Sequence, residues 1–97
     1  MNLHQLKILE CFYRDVDEDR KTFELRKDDR NYKVDDLINF IVIDKKGIQI
    51  KTDVVYQIIY ILKNVPEYGL SSGYCILGIR RIGKLVSWPG ITYDFDD

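Results

Sequence analysis

The sequence predicts an α+β fold that is mainly β: a small barrel of five or six short strands, with one short helix after the first strand. Three observations carry this. Apolar residues recur at period two through much of the chain, as in strands with one buried face. The run Leu37-Ile38-Asn39-Phe40-Ile41-Val42-Ile43 is apolar at both parities and β-branched, which suits a closed or nearly closed barrel better than an open sheet. Only around Leu9, Phe12, Tyr13 and Val16 does the spacing become helical.

The 97 residues form one domain, 1–97, with room for one modest core. An apolar share of 45% suits a globular protein, and 32% charged residues suit a soluble one. Fifteen basic and sixteen acidic residues leave a net charge of -1, so bulk positive charge cannot hold this chain to nucleic acid. RNA or DNA would have to be bound in a local groove. Cys11 and Cys75 stand far apart and in no C-x-x-C pair, which argues against a disulfide scaffold or a zinc site and for two small buried thiols. The N-terminal stretch lacks the basic start and apolar run of a signal peptide. No apolar run approaches the roughly 20 residues that span a bilayer. A cytoplasmic protein with no membrane contact, metal or cofactor is expected.

In chain order, His4, Leu6 and Ile8 alternate with Gln5 and Lys7 in a first strand. A short amphipathic helix then runs from about Glu10 to Asp17, across one end of the sheet. Thr22 to Lys27 is a second strand, with Phe23 and Leu25 on its buried face. Asp28-Asp29-Arg30-Asn31 is turn chemistry, and Leu37 to Ile43 is the doubly buried strand. Asp44-Lys45-Lys46-Gly47 is a hairpin loop with Gly47 at the positive-φ position. The return strand begins at Ile48, where Ile48, Ile50 and Thr52 alternate with polar residues. Val54 to Leu62 reads as a long bent strand by its β-branched and aromatic content. A loop over Asn64 to Gly73 precedes a strand from Tyr74 to Ile79. Arg80-Arg81-Ile82-Gly83-Lys84 is a basic patch, Trp88-Pro89-Gly90 a turn that lids the barrel end, and Tyr93 to Asp97 an acidic tail, either an edge strand or loose.

Function is sought in the second strand. Its parity places Thr22, Glu24 and Arg26 on one face, with Lys21 at the entry. An acid and a base so placed cost little in water, but inside a cleft they need partners and can orient a polar ligand. Lys21 and Arg26 would take phosphate or carbonyl oxygens, and Glu24 would hold their geometry or accept from a base edge. The alternative is an ion-pair network on the barrel rim. Lys7 either extends this basic lining or is a solvated lysine. Tyr68 and Tyr74 flank a glycine-bearing loop and either stack on a base or pack ordinarily. His4 has no partner at motif spacing and reads as structural.

Four runs in this order resemble a known family: His4-Gln5-Leu6-Lys7-Ile8, Lys21-x-x-Glu24-x-Arg26, Tyr32-Lys33-Val34-Asp35-Asp36-Leu37 and Glu67-Tyr68-Gly69-Leu70-x-x-Gly73-Tyr74. Together they resemble the ASCH domain of the PUA-like superfamily, and within it a small bacterial and phage subfamily of unknown function. The resemblance spans about 3–79 and leaves 80–97 as a C-terminal extension. It implies a PUA-like barrel with a cleft beside the helix, and a role in binding RNA or a modified nucleotide. Family sequences usually carry glycine where this chain has Asp19 and Asp35. Both positions are expected in turns, where Asp adopts left-handed geometry at some cost.

Three functions remain open. In the first, a non-catalytic module binds RNA or a modified nucleoside through Lys7, Lys21, Glu24, Arg26 and Tyr68. In the second, a small amidohydrolase acts on an acetylated nucleoside. A branch similar to this chain does so with a Lys, a Thr and a distant Glu. Here Lys21 matches, Glu24 occupies the Thr position, Thr22 is two residues away on the same face, and Glu67 aligns loosely as the distant acid. A carboxylate does not replace a hydroxyl acyl acceptor, although it can act as general base for water. In the third, the acidic tail and a sheet edge bind a protein partner.

Overall fold

His4, Leu6 and Ile8 do face inward, from a first strand β1 (Leu3–Leu9) that leads directly into helix α1 (Glu10–Asp17). β2 (Phe23–Lys27), β3 (Leu37–Ile43), β4 (Gln49–Lys63), β5 (Tyr74–Ser87) and β6 (Thr92–Phe95) follow, with one 3-10 turn at Pro66–Tyr68. These belong to a computed structural model that describes residues 1–87 and 92–95. Trp88, Pro89, Asp96 and Asp97, assigned above to a lid and a tail, lie outside the described residues.

The strands form one sheet in the order β1-β3-β4-β5-β2, with β6 also on β5. β1 runs parallel to β3, and the other pairs are antiparallel. β5 is long enough to carry β2 against Tyr74–Gly78 and β6 against Gly83–Ser87. The sheet curls around Leu6, Ile8, Ile38, Phe40, Val42, Tyr56, Ile58, Cys75, Leu77 and Ile79. Its two end strands, β1 and β2, do not pair, so the sheet is a half-barrel rather than the closed or nearly closed barrel expected from β3. The free edge of β1 instead accepts a hydrogen bond at Gln5 O from Arg30 Nη1 at 3.1 Å, which blunts an edge that could pair with another chain.

Local chemistry explains the main irregularities. β3 and β4 slip register between Asn39 and Ile41, and the buried Asn39 side chain repairs the ladder there. Its Nδ2 donates to Thr52 O at 2.9 Å and Val54 O at 3.0 Å, while Thr52 Oγ1 donates to Phe40 O at 2.7 Å. The hairpin loop has Gly47 at φ 81, and Asp44 Oδ1 accepts from the Lys46 and Ile48 amides. Asp19 and Asp35 adopt left-handed φ values of 59 and 78, as their turn positions require.

Several expectations need correction. The return strand and the bent strand are one continuous β4, and β5 runs on through Arg80 to Lys84 because β4 and β6 pair with that stretch. Ile48 and Ile50 are exposed, as are Leu9 at the end of β1 and Phe12 on the helix, where only Val16 is fully buried. Cys11 is exposed; Cys75 alone is a buried thiol.

Asp36 fixes the start of β1 to the start of β3. Its carboxylate accepts from Asn2 N at 3.0 Å, Lys33 N at 3.1 Å and His4 Nε2 at 2.8 Å. The His4 ring also packs edge-on against Tyr32, with centroids 4.8 Å apart. Burial alone would raise the Asp36 pKa, but these hydrogen bonds outweigh it and hold the carboxyl below the ordinary range. A depressed folded pKa stabilises above the unfolded value and is lost as pH falls through the folded one. Asp36→Asn is therefore expected to cost about 1–3 kcal/mol at neutral pH in urea unfolding. The gap from wild type should narrow below about pH 4. A gap that does not change with pH contradicts this role.

Candidate functional site

The register between β2 and β5 decides what faces the interior. Cys75 and Leu77 fill the core, and their cross-strand partners are Arg26 and Glu24. Directly opposed residues share a sheet face, so Glu24 and Arg26 point inward while Phe23, Leu25 and Lys27 point out. Glu24 is 3% exposed, whereas Phe23 is 49% and Leu25 58% exposed. This inverts the expected burial of Phe23 and Leu25. The alternation has the period of a strand, but its polar face is the inner one.

An inward carboxylate needs compensation, and Glu24 has it on both oxygens. Lys21 Nζ bonds Oε1 and also donates to Phe23 O at 2.7 Å. Arg26 binds Oε2 through Nε at 3.0 Å and Nη2 at 2.8 Å. The Lys21 and Arg26 side chains are each one-fifth exposed, so both cations stand between the interior and solvent. An ammonium has three N–H donors and a guanidinium five. Within the contacts above, one N–H of Lys21 and three of Arg26 remain for a ligand. Glu24 thus serves as the clamp that holds both cations with their spare donors toward the cleft.

That cleft is the gap between the unpaired strands β1 and β2, with a volume of about 520 Å³. Lys7 and Ile8 line it from β1, and Lys21, Glu24 and Arg26 form its polar part. Leu9, Phe12, Phe23 and Leu25 form an apolar rim. The Lys21 ammonium also stands 5.0 Å from the Phe23 ring centroid, in cation–π range. The exposed Leu9, at the end of β1, and Phe12 of the helix therefore have a place: they face a cavity rather than the core.

The structure thus brings Lys7, Lys21, Glu24 and Arg26 together. Tyr68 is not among the residues lining the cleft: it is 84% exposed on the 3-10 turn, with the exposed Glu67 beside it. Thr22 lines a different cavity with Lys21, and its carbonyl accepts from Ile79 N at 3.0 Å. Of the residues considered for a hydrolase, Lys21 and Glu24 therefore line the cleft, and Thr22 and Glu67 are not among its lining residues. Leu9, Phe12, Phe23 and Leu25 were missed as site residues because each was read as core. Their signal would have been the charged residues of matching period beside them. No cluster of three or more His, Cys, Asp or Glu side chains that could hold a metal occurs among the described residues. No helix there is long and apolar enough to cross a membrane.

Residues 3–79 match the family described as a domain of unknown function, DUF3850. The chain belongs to that family. No curated protein shows a significant match to it. The matched segment contains the whole cleft, from Lys7 on β1 to Arg26 on β2.

The inverted face of β2 makes a direct test. Glu24→Ala strips the counter-charge from two partly buried cations and is expected to cost about 2–4 kcal/mol in urea unfolding. Leu25→Ser, at an outward position, should cost less than about 1 kcal/mol. The opposite order would place Leu25, not Glu24, in the interior.

Proposed function

We propose that the cleft binds RNA or a modified nucleoside one base at a time, without catalysis. One observation carries this reading: an apolar rim with two aromatic rings stands over cation donors whose orientation Glu24 fixes. A nucleobase presents the matching chemistry, a planar apolar face beside carbonyl and phosphate oxygens. Base–aromatic stacking contributes about 1–3 kcal/mol per base, and charge-assisted hydrogen bonds add orientation. The cleft falls within the usual size range of small-ligand sites. The resemblance of the Lys21-x-x-Glu24-x-Arg26 run to the ASCH domain supports the same ligand class. With a net charge of -1, affinity must arise in the cleft and carry a shallow salt dependence.

A second reading rests on the outer sheet face, which shares Phe23 and Leu25 with the rim of the cleft. The outer face of β2, β5 and β4 leaves Phe23, Leu25, Tyr60, Leu62 and Tyr74 exposed, which suits a protein-interaction adaptor.

A thermal-shift screen against nucleosides, acetylated and methylated nucleosides, nucleotides and short RNAs separates the two. At about ten times its Kd a ligand adds roughly 1.4 kcal/mol, or about 5–10 °C for a domain of this size. Lys21→Ala should abolish that shift while remaining folded, because Arg26 still neutralises Glu24. A screen with no shift from any nucleoside or RNA contradicts nucleobase binding and favours the adaptor.

A further inference from the structure

We propose that the cleft selects a 6-oxopurine base, guanine or hypoxanthine, and that the Arg26 guanidinium reads it through O6 and N7. This rests on the nucleobase reading above and extends it to the identity of the base.

Arg26 holds Glu24 with one edge only. Its Nε at 3.0 Å and its Nη2 at 2.8 Å both reach Oε2. A guanidinium is a rigid planar fork, so the outer edge formed by Nη1 and the second hydrogen of Nη2 keeps two parallel donors. Glu24 thereby fixes the plane of Arg26 as well as offsetting its charge. The Arg26 side chain lines the cleft and is one-fifth exposed, so that outer edge is within reach of a ligand.

Two parallel donors fit two adjacent acceptors on one planar group. Guanine and hypoxanthine offer O6 beside N7, and this guanine edge is the one that arginine reads most often. Adenine keeps N7 but carries an amino donor in place of O6, which sets donor against donor.

The rest of the cleft has the same bias. Lys7 and Lys21 are ammonium groups, which donate and cannot accept. Glu24 is the one acceptor side chain of the lining, and with only 4% of it exposed it stays with Lys21 and Arg26. Among the lining residues, no side chain is therefore free to receive the amino group of adenine or cytosine. Cytosine does place O2 beside N3, but its single ring covers less of Phe12 and Phe23 than a purine would.

A phosphate also matches a guanidinium fork. Here the Glu24 carboxylate already offsets the Arg26 charge, and the half-exposed Phe12 and Phe23 rings line the same space. Both features favour a planar neutral group over an anion.

The test is calorimetric titration of wild type and Arg26→Lys with guanosine, inosine, adenosine, cytidine and 7-deazaguanosine, which lacks the N7 acceptor. Wild type is expected to bind guanosine and inosine about tenfold tighter than adenosine or cytidine, and 7-deazaguanosine should fall to the adenosine level. Arg26→Lys keeps a cation on Glu24 but loses the fork, so it should bind the purine nucleosides alike. Equal affinities of wild type for all the nucleosides overturn the base selection and leave the nucleobase reading standing. A preference for adenosine or cytidine overturns it too, as does a guanosine preference that 7-deazaguanosine shares or that a folded Arg26→Lys retains. The 7-deazaguanosine comparison is made on wild type, so it decides the matter even if Arg26→Lys does not fold. No binding of any nucleoside refutes the nucleobase reading and the base selection together.

Discussion

Glu24 is a carboxylate with almost no exposure, and the rest of the cleft follows from how it is neutralised. Its place is set by β5: Cys75 and Leu77 take the interior, and the residues opposite them on β2 must share it. An isolated carboxylate there would cost several kcal/mol. Lys21 and Arg26 cover its two oxygens, and that contact fixes two flexible side chains at the mouth of the half-barrel. One ion cluster thus does two things: it permits a polar strand face to turn inward, and it orders donors around a cavity. The outward turn of Phe23 and Leu25 is the other side of the same constraint, and it supplies part of the apolar rim.

The cavity exists because the sheet stops short of closure. β1 joins the sheet by parallel pairing with β3, and its other edge meets Arg30 rather than a strand. Asp36 locks the start of β1, and Asn39 repairs the slipped ladder between β3 and β4. These buried polar contacts hold the curled sheet in shape around a core of modest size. The open seam between β1 and β2 is therefore a built feature of the fold, with Ile8 on one side and Glu24 on the other.

Much of the scaffold was legible in the sequence. β1, β3 and the bounds of α1 follow from clear periodicity, Gly47 announces its turn by residue type, and the turns at Asp19 and Asp35 were implied by the glycines of the family the chain resembles. Glu24 and Arg26 were legible as face-sharing neighbours from parity, with Lys21 at the strand entry. What the alternation could not reveal was which face of β2 lies inside. Phe23 and Leu25 argue for one face, but the register against Cys75 and Leu77 imposes the other, and register is a long-range property. The extent of β5 was hidden for a similar reason: Arg80, Arg81 and Lys84 carry no strand pattern, and pairing with β4 and β6 keeps them extended. Asp36 looked like its turn neighbour Asp35, because its partner His4 lies 32 residues away.

The central claim is that the seam between β1 and β2 is the ligand site. Backbone amide NMR during titration with a 5′-mononucleotide tests it most directly. The account predicts that the largest shifts fall on Lys7 to Leu9, Phe12 and Phe23 to Arg26, the residues around the cleft. Shifts confined instead to Tyr60, Leu62 and Tyr74 would place the ligand on the outer sheet face and contradict it.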